Sequence, residues 1–227
     1  PPYIRINEGE GSWTDTICSL SDDHPEVIEM TTINEFLKGH SWACKAPVRL
    51  VYKSNAFNGG RLSTPFQNLP DRNVRIRINT LIDEQSICEV DFNANHLRLN
   101  LAFRSKESAG DTPYEDIGEI AGVNNRDQIK RIITVAMGAS DEAGGYGSLY
   151  TEGFNKAYVR RIHDAALKRF PKLQLFKGWG VYAQNFEGQI LKDVMLQGVK
   201  KDIVCLPVHD AVAVQQQHQA WAKEVML

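Results

Sequence analysis

The segment Ile203-Val-Cys-Leu-Pro-Val-His-Asp-Ala-Val-Ala-Val214 constrains the fold more than any other part of this 227-residue chain. Two apolar runs flank one His-Asp pair. Neither approaches the roughly 20 apolar residues of a membrane-spanning helix, so both belong inside a protein core. Residues 203–208 read as a buried strand and residues 211–214 continue as a strand. The pattern predicts a hairpin with Asp210 at its bend. Residues 87–92 read as a second core strand that also ends in an acid, Asp91. Glu89 reads as lying on the opposite face of that strand, which makes it the weaker candidate.

Further strands are predicted over 47–53 and over 75–79, where charged and apolar residues alternate. Gly59-Gly60 and Pro65 to Pro70 punctuate an extended loop between them. Helical spacing appears near Thr32–Lys38, through Tyr158 to Ala166 ahead of Pro171, through Phe186 to Val194, and around Trp221 to Met226. It is clearest over 126–137, where Ile129, Ile132, Ile133 and Ala136 share a face. Gly144, Gly145 and Gly147 then break the pattern. Strands separated by helical blocks, without regular βαβ alternation, give an α+β class.

Composition is that of an ordinary globular chain, 42% hydrophobic and 24% charged. The start, Pro-Pro-Tyr-Ile-Arg, lacks a signal-peptide shape. Cys18, Cys44, Cys88 and Cys205 include no Cys-x-x-Cys pair and no zinc spacing. Cys88 and Cys205 fall in apolar runs and read as core thiols, which points to a reducing, cytoplasmic compartment. The net charge of −2 hides an uneven distribution. Lys45, Arg49, Lys53, Arg61, Arg72, Arg75 and Arg77 are opposed between residues 45 and 80 only by Asp71. Lys156, Arg160, Arg161, Lys168, Arg169 and Lys172 form a second basic stretch. Asp15, Asp22, Asp23, Glu26 and Glu29 offset both. Basic runs are commonly just solvated faces, but these flank the segments singled out below, as a polyanion-binding protein requires.

Phosphoryl transfer to a growing strand uses two metal ions about 3.5–4 Å apart. Hard Mg²⁺ takes one or two carboxylates and keeps water for the rest. Two aspartates on neighbouring strand ends are the smallest set that meets this need, and Asp91 and Asp210 supply it.

Four segments then carry a resemblance. Asp91-Phe-Asn-Ala-Asn-His-Leu-Arg98 resembles the family A DNA polymerase motif that opens with an aspartate and an aromatic and closes in Leu-Arg. Val208-His-Asp210 resembles that family's Val-His-Asp motif. Gly60-Arg-Leu-Ser-Thr-Pro-Phe-Gln-Asn-Leu-Pro70 resembles its Gly-Arg-Leu-Ser…Gln-Asn-Ile-Pro segment, and Arg126-Asp-Gln-Ile-Lys130 the Arg-x-x-x-Lys of its fingers helix. The segments stand in the family's order and cover about residues 59–227.

The resemblance implies an α+β right-hand polymerase core with an antiparallel palm sheet and reduced helical fingers. Residues 1–58 are expected as an N-terminal segment and candidate minimal thumb, 59–125 as the first part of the palm, 126–170 as fingers-like helices, and 171–227 as the second part of the palm. It implies primer-extending DNA synthesis with two Mg²⁺ ions, Mn²⁺ being able to substitute, held by catalytic Asp91 and Asp210. Arg126, Lys130, His96 and Thr134 are expected at the nucleotide. Arg61, Gln67, Asn68 and His209 are expected at the primer–template, and Arg98 in a structural ion pair. The implied partners are a primed DNA template, nucleoside triphosphates and an accessory replication protein, with no membrane. RNA synthesis by the same chemistry and a non-catalytic nucleic-acid-binding remnant are the alternatives; an unrelated metal-dependent hydrolase gives residues 61–70 no role.

The chain departs from the family at several points. His96 stands where the family has the glutamate that gates the ribose 2′-hydroxyl. Thr134 stands where the fingers helix has an aromatic, Met137 where it has a tyrosine, and Ala211 where a glutamate usually follows the second aspartate.

Overall fold

In the computed structural model, residues 3–7, 16–17, 20–53, 55–71, 73–105 and 107–226 are described; Asp15, Cys18 and Arg72 lie outside them. The first elements in chain order are β1 (Ile4–Asn7), β2 (Thr16–Ile17), α1 (Pro25–Lys38), β3 (Arg49–Lys53) and β4 (Asn55–Ser63). Two 3₁₀ turns, Pro65–Asn68 and Arg77–Asn79, precede β5 (Leu81–Ile82) and β6 (Gln85–Asp91). Five helices follow, α2 (Asn95–Ser105), α3 (Pro113–Ala121), α4 (Arg126–Gly138), α5 (Glu142–Thr151) and α6 (Lys156–Arg169). The long α7 (Trp179–Lys201) leads to β7 (Leu206–Val208), β8 (Ala211–Gln215) and α8 (Gln219–Val225). The chain is therefore α+β. Among the described residues, no helix is long and apolar enough to cross a membrane.

The chain divides into two units, Pro1–Phe92 with Gln184–Leu227, and Asn93–Ala183. The first carries both sheets. One has the order β2-β1-β3-β4, with β1 and β3 parallel, and the other is the antiparallel β5-β6-β8-β7. One core joins Met30 and Ile33 of α1, Leu50 of β3, Leu62 of β4, and Val212 and Val214 of β8. Residues 1–58, expected as a candidate thumb, thus share the core of the strands that carry the acids. Buried Asn34 clamps α1 to the chain entering β3. Its amide donates to the Val48 carbonyl at 2.9 Å, and its carbonyl accepts from the Val48 N–H at 2.8 Å. Buried Lys192 of α7 meets Glu29 of α1 at 2.6 Å and Glu26 at 3.6 Å, so its charge is paired rather than stranded.

The second unit is wholly helical, with a separate core that includes Leu97, Ile117, Ile129, Ile132, Ile133 and Ile162. The expected face of α4 is the buried one. Residues 93–125, expected with the palm, pack here instead.

Three local expectations fail for identifiable reasons. Residues 75–79 form no strand. The Ile76 and Arg75 N–H groups bond back to the Pro70 and Asp71 carbonyls at 2.9 and 3.1 Å. The Asn79 side chain donates to the Arg75 carbonyl at 2.7 Å. Local bonds of this sort compete with a ladder and here displace it. Gly144, Gly145 and Gly147 do not break a helix but lie within α5, whose N-cap Asp141 accepts from the Gly144 N–H at 2.8 Å. Residues 203–205 run into β7 outside the ladder, so that strand is shorter than its apolar run.

Candidate catalytic site

The hairpin forms as its pattern predicts. Val208 pairs with Ala211, leaving His209-Asp210 as a two-residue turn between β7 and β8. Asp91, the last residue of β6, pairs across the ladder with that same Ala211. The two aspartates therefore stand at one end of one sheet, on adjacent chain segments. Asp91 faces Ala211, the residue that follows Asp210, and antiparallel partners have Cα atoms roughly 4.5–5.5 Å apart. Among the described residues, no group of three or more His, Cys, Asp and Glu side chains gathers around a metal position. A carboxylate pair still suits Mg²⁺, which completes its shell with water and phosphate oxygens.

His209 is exposed and held at φ 55, in the left-handed region that few residues other than glycine adopt, although Asn, Asp and His enter it more readily than the rest. Its N–H donates to the Gln67 side-chain carbonyl at 3.5 Å, a long bond. Gln67 also donates to the Ser63 hydroxyl at 3.4 Å. The structure thus brings Gln67, from the Gly-Arg-Leu-Ser segment, to the Val-His-Asp turn.

Arg77 fixes that arrangement from behind. It forks onto Glu89 of β6, with Nε–Oε1 at 2.6 Å and Nη2–Oε2 at 3.2 Å. Its remaining nitrogen donates to the carbonyls of Gln67 at 3.1 Å and Leu69 at 3.3 Å. Bidentate Arg–carboxylate pairs carry direction as well as charge. Sequence reasoning missed Arg77 because residues 75–79 read as a strand. It also misplaced Glu89. The β6–β8 register runs without a shift, so Glu89 and Asp91, two apart, share a face. Glu89 is engaged by Arg77, and Asp91 is exposed on the same face.

Arg61 and Asn68 are both exposed. Arg61 lies 3.9 Å from buried Glu187 of α7, a loose pairing. Its predecessor Gly60, at φ 74, sits in an irregular stretch of the β3–β4 ladder. A Cβ there would meet the Tyr52 ring at 2.9 Å, and one on Gly188 of α7 would meet the Gly60 carbonyl at 1.8 Å. Only a glycine pair permits this contact, which anchors the strand bearing Arg61.

In the helical unit, Arg126 and Lys130 lie one turn apart on α4, on the side away from its buried isoleucines. Arg126 pairs with exposed Glu115 at 2.9 Å, donates to the Asn93 side-chain carbonyl at 3.4 Å, and lies 5.5 Å from the centre of the Tyr114 ring. Lys130 is exposed, and among the described residues no acid pairs with it. Half-buried Thr134 shares a hydrogen bond with the hydroxyl of Tyr114, whose burial pushes that phenol above its ordinary range. Tyr114 is thus a second residue that sequence reasoning missed; its signal was only an aromatic after Pro113. His96 is half-buried in the first turn of α2. Among the described residues, no acid pairs with Arg98. Its guanidinium donates to the carbonyls of Asn93 and Gly110, both at 2.6 Å, because it closes the loop that leads into α3.

Asp91, Asp210, His209 and Gln67 therefore converge within the sheet-bearing unit, with Arg61 and Asn68 on the same unit. Arg126, Lys130, Thr134 and His96 belong to the helical one. Comparison with protein-family models, with curated proteins and with solved structures finds no match to this chain.

Proposed function

We propose that the chain is a template-directed nucleotidyl transferase that extends a DNA primer. The observation that carries this reading is the convergence of Asp91 with the His209-Asp210 turn, with Gln67 hydrogen-bonded to that turn. Residues far apart in sequence meet at one sheet end, in the combination that the polymerase resemblance requires. A metal-dependent hydrolase would need the acids but not Gln67, Arg77 and the anchored Gly60-Arg61.

Asp91 and Asp210 are the residues that would hold Mg²⁺. When bound, the ions supply activation of the primer 3′-hydroxyl and neutralisation of the departing pyrophosphate. His209, exposed at the turn, offers a donor to the primer-terminal phosphate. Asn68 and the free capacity of Gln67 suit the minor-groove acceptors that every base pair presents, so pairing geometry is tested without reading sequence. Lys130 offers a charge-assisted contact to the triphosphate, and Arg126 joins it by leaving Glu115. His96 fills the place of the family's sugar gate, and its bulk favours deoxynucleotides.

The test is primer extension by the full chain with Mg²⁺, with deoxy- and ribonucleotides in separate reactions. Incorporation that depends on template and metal supports the reading, and the sugar preference assigns the product. Binding of primed DNA without incorporation of either sugar overturns it in favour of a non-catalytic module.

A further inference from the structure

The helical unit holds a cavity of about 380 Å³ between α5, α6 and the segment after α6, and the proposed chemistry makes no use of it. The size suits a small organic ligand. Tyr146 and Phe176 line it, and with Tyr150, which lies outside the lining, they form a near-parallel stack of three rings. Tyr146 lies 5.8 Å from Tyr150 at 25° and 5.5 Å from Phe176 at 30°. Phe176 stands at φ 58, which is strained for a bulky residue. A Cβ on Gly145 would lie 2.7 Å from the Phe176 ring, so the absence of a side chain there is what admits it. Backbone strain and a missing Cβ both serve to hold this ring in place.

The polar groups converge on the same cavity. His163 is buried, and its Nδ1 is 3.1 Å from the Tyr146 hydroxyl. Its Nε2 has no partner among the described residues. Burial lowers its pKa to about 4, so the ring is neutral. Arg160 hydrogen-bonds the Tyr146 hydroxyl, and exposed Lys177 lines the same wall. Glu142 and Asp164 add acceptors. Arg160 and Asp164 also line an adjoining basic cleft of about 480 Å³ with Arg161 and Lys168.

Stacked rings, carboxylates able to accept from amino groups, and cations beside them match the parts of one nucleotide. We propose that this cavity binds an unpaired nucleotide, its base packed against the Tyr146 and Phe176 rings that line it and its phosphate held by Arg160 and Lys177. The adjoining cleft carries the next phosphates when the nucleotide belongs to a strand. The site is distinct from the acids at the sheet end, and its occupation requires neither metal nor turnover.

Fluorescence anisotropy of the full chain, without divalent metal, tests this. The probes are a labelled primer–template with an unpaired 5′ overhang, a blunt duplex of equal length, and unlabelled deoxyadenosine monophosphate as competitor. The overhang is expected to bind roughly tenfold or more tightly than the blunt duplex, the scale of one base–aromatic stack. Arg160→Gln with Lys177→Gln, both at exposed positions, is expected to remove most of that preference. Tyr146→Leu is expected to do the same, with a thermal melt to verify folding. Displacement by the monophosphate would assign the site to free nucleotides, and resistance to it would assign the site to a strand; either keeps the nucleotide chemistry. Equal binding of overhang and blunt duplex without monophosphate binding overturns the proposal, as does a preference untouched by the Arg160/Lys177 variant. Because no incorporation is read, failure here leaves the Asp91–Asp210 reading standing, and failure of primer extension leaves this one standing.

Discussion

The sheet-bearing unit and the helical unit present their candidate residues in opposite ways. In the first, each group is held from behind. Arg77 locks the Gln67 main chain to Glu89, a two-residue turn fixes His209, and a glycine contact anchors the strand of Arg61. In the second, the groups are adjustable. Lys130 is unpaired among the described residues, and Arg126 holds an exposed partner at 2.9 Å. Exposed ion pairs contribute little, about 0–1 kcal/mol, so Arg126 can exchange Glu115 for a phosphate at small cost. On the proposed reading, chemistry that depends on angle would rest on the rigid sheet, and charge that need only be delivered on side chains free to move.

The sharpest break in this comparison comes from the acids. Asp91→Ala or Asp210→Ala is expected to reduce incorporation by about a thousandfold or more, since a bound cation supplies several kcal/mol of charge stabilisation. Stability should hold or rise, because two carboxylates at one sheet end repel when no cation lies between them. Single-turnover extension and thermal melts measure both. Near wild-type incorporation by either variant would remove that residue from the site.

The two units should also fail at opposite ends of the pH scale. Burial lowers His163 of the helical unit from 6.5 to about 4. The unfolded chain then binds a proton that the folded chain refuses. Stability is complete above pH 6.5 and is lost as pH falls toward 4, by about 3 kcal/mol. Burial raises Cys205 of the sheet-bearing unit from 9 to about 12. There the unfolded chain loses a proton that the folded chain keeps, so stability is complete below pH 9 and falls by about 4 kcal/mol toward pH 12. Melts across both windows should show His163→Gln flattening the acid limb and Cys205→Ala the alkaline one. An acid limb unchanged by His163→Gln would place the acid sensitivity elsewhere.

Rigid and adjustable residues separate further under two substitutions of about 2 kcal/mol each, the scale of a hydrogen bond to a charged group. Arg77→Met leaves Glu89 without its fork and frees the Gln67 turn. A lower melting temperature and weaker incorporation are expected together. Lys130→Ala is expected to raise the nucleotide KM roughly tenfold or more, with no change in melting temperature. A Lys130 variant that loses duplex affinity instead would reassign the lysine to the nucleic acid.

The sequence made legible what depends on near neighbours. The hairpin with Asp210 at its bend, the strand ending at Asp91 and the buried face of α4 follow from periodicity alone. Residues 75–79 did not follow, because their alternation is that of a strand while Asn79 and the Pro70 and Asp71 carbonyls bind the backbone locally. The α5 glycines misled in the opposite sense. Gly145 is required by the Phe176 ring, a partner some thirty residues later that no local window contains. Within the candidate site, the segments that carry Asp91, Asp210, Gln67 and His209 were legible, and the structure places them at one sheet end and its turn. Arg77 was not, since residues 75–79 read as a strand and half of its contacts are to the Gln67 and Leu69 main-chain carbonyls, which leave no pattern in sequence. Glu89 was misjudged by a face, an error that the period of two corrects once the ladder register is known.

The smallest effect is the most discriminating about the turn. His209 stands at φ 55, and such strain costs on the order of 1–3 kcal/mol for a residue with a side chain. Glycine adopts this backbone freely but adds about 0.4–1 kcal/mol of disorder to the unfolded chain. His209→Gly is therefore expected to stabilise the protein by about 1 kcal/mol, which is a rise of roughly 2–4 °C in a chain of this size. The backbone N–H that reaches Gln67 remains, so the turn keeps its neighbour. Only the imidazole is lost, and with it the donor proposed for the primer-terminal phosphate. Incorporation should fall while the melting temperature rises, the outcome for a residue whose strain serves chemistry rather than folding. A higher melting temperature with unchanged incorporation would make His209 a turn residue and nothing more. A lower one would show that the imidazole itself holds the hairpin, and would make His209 part of the framework behind Asp210 rather than a group that the framework presents.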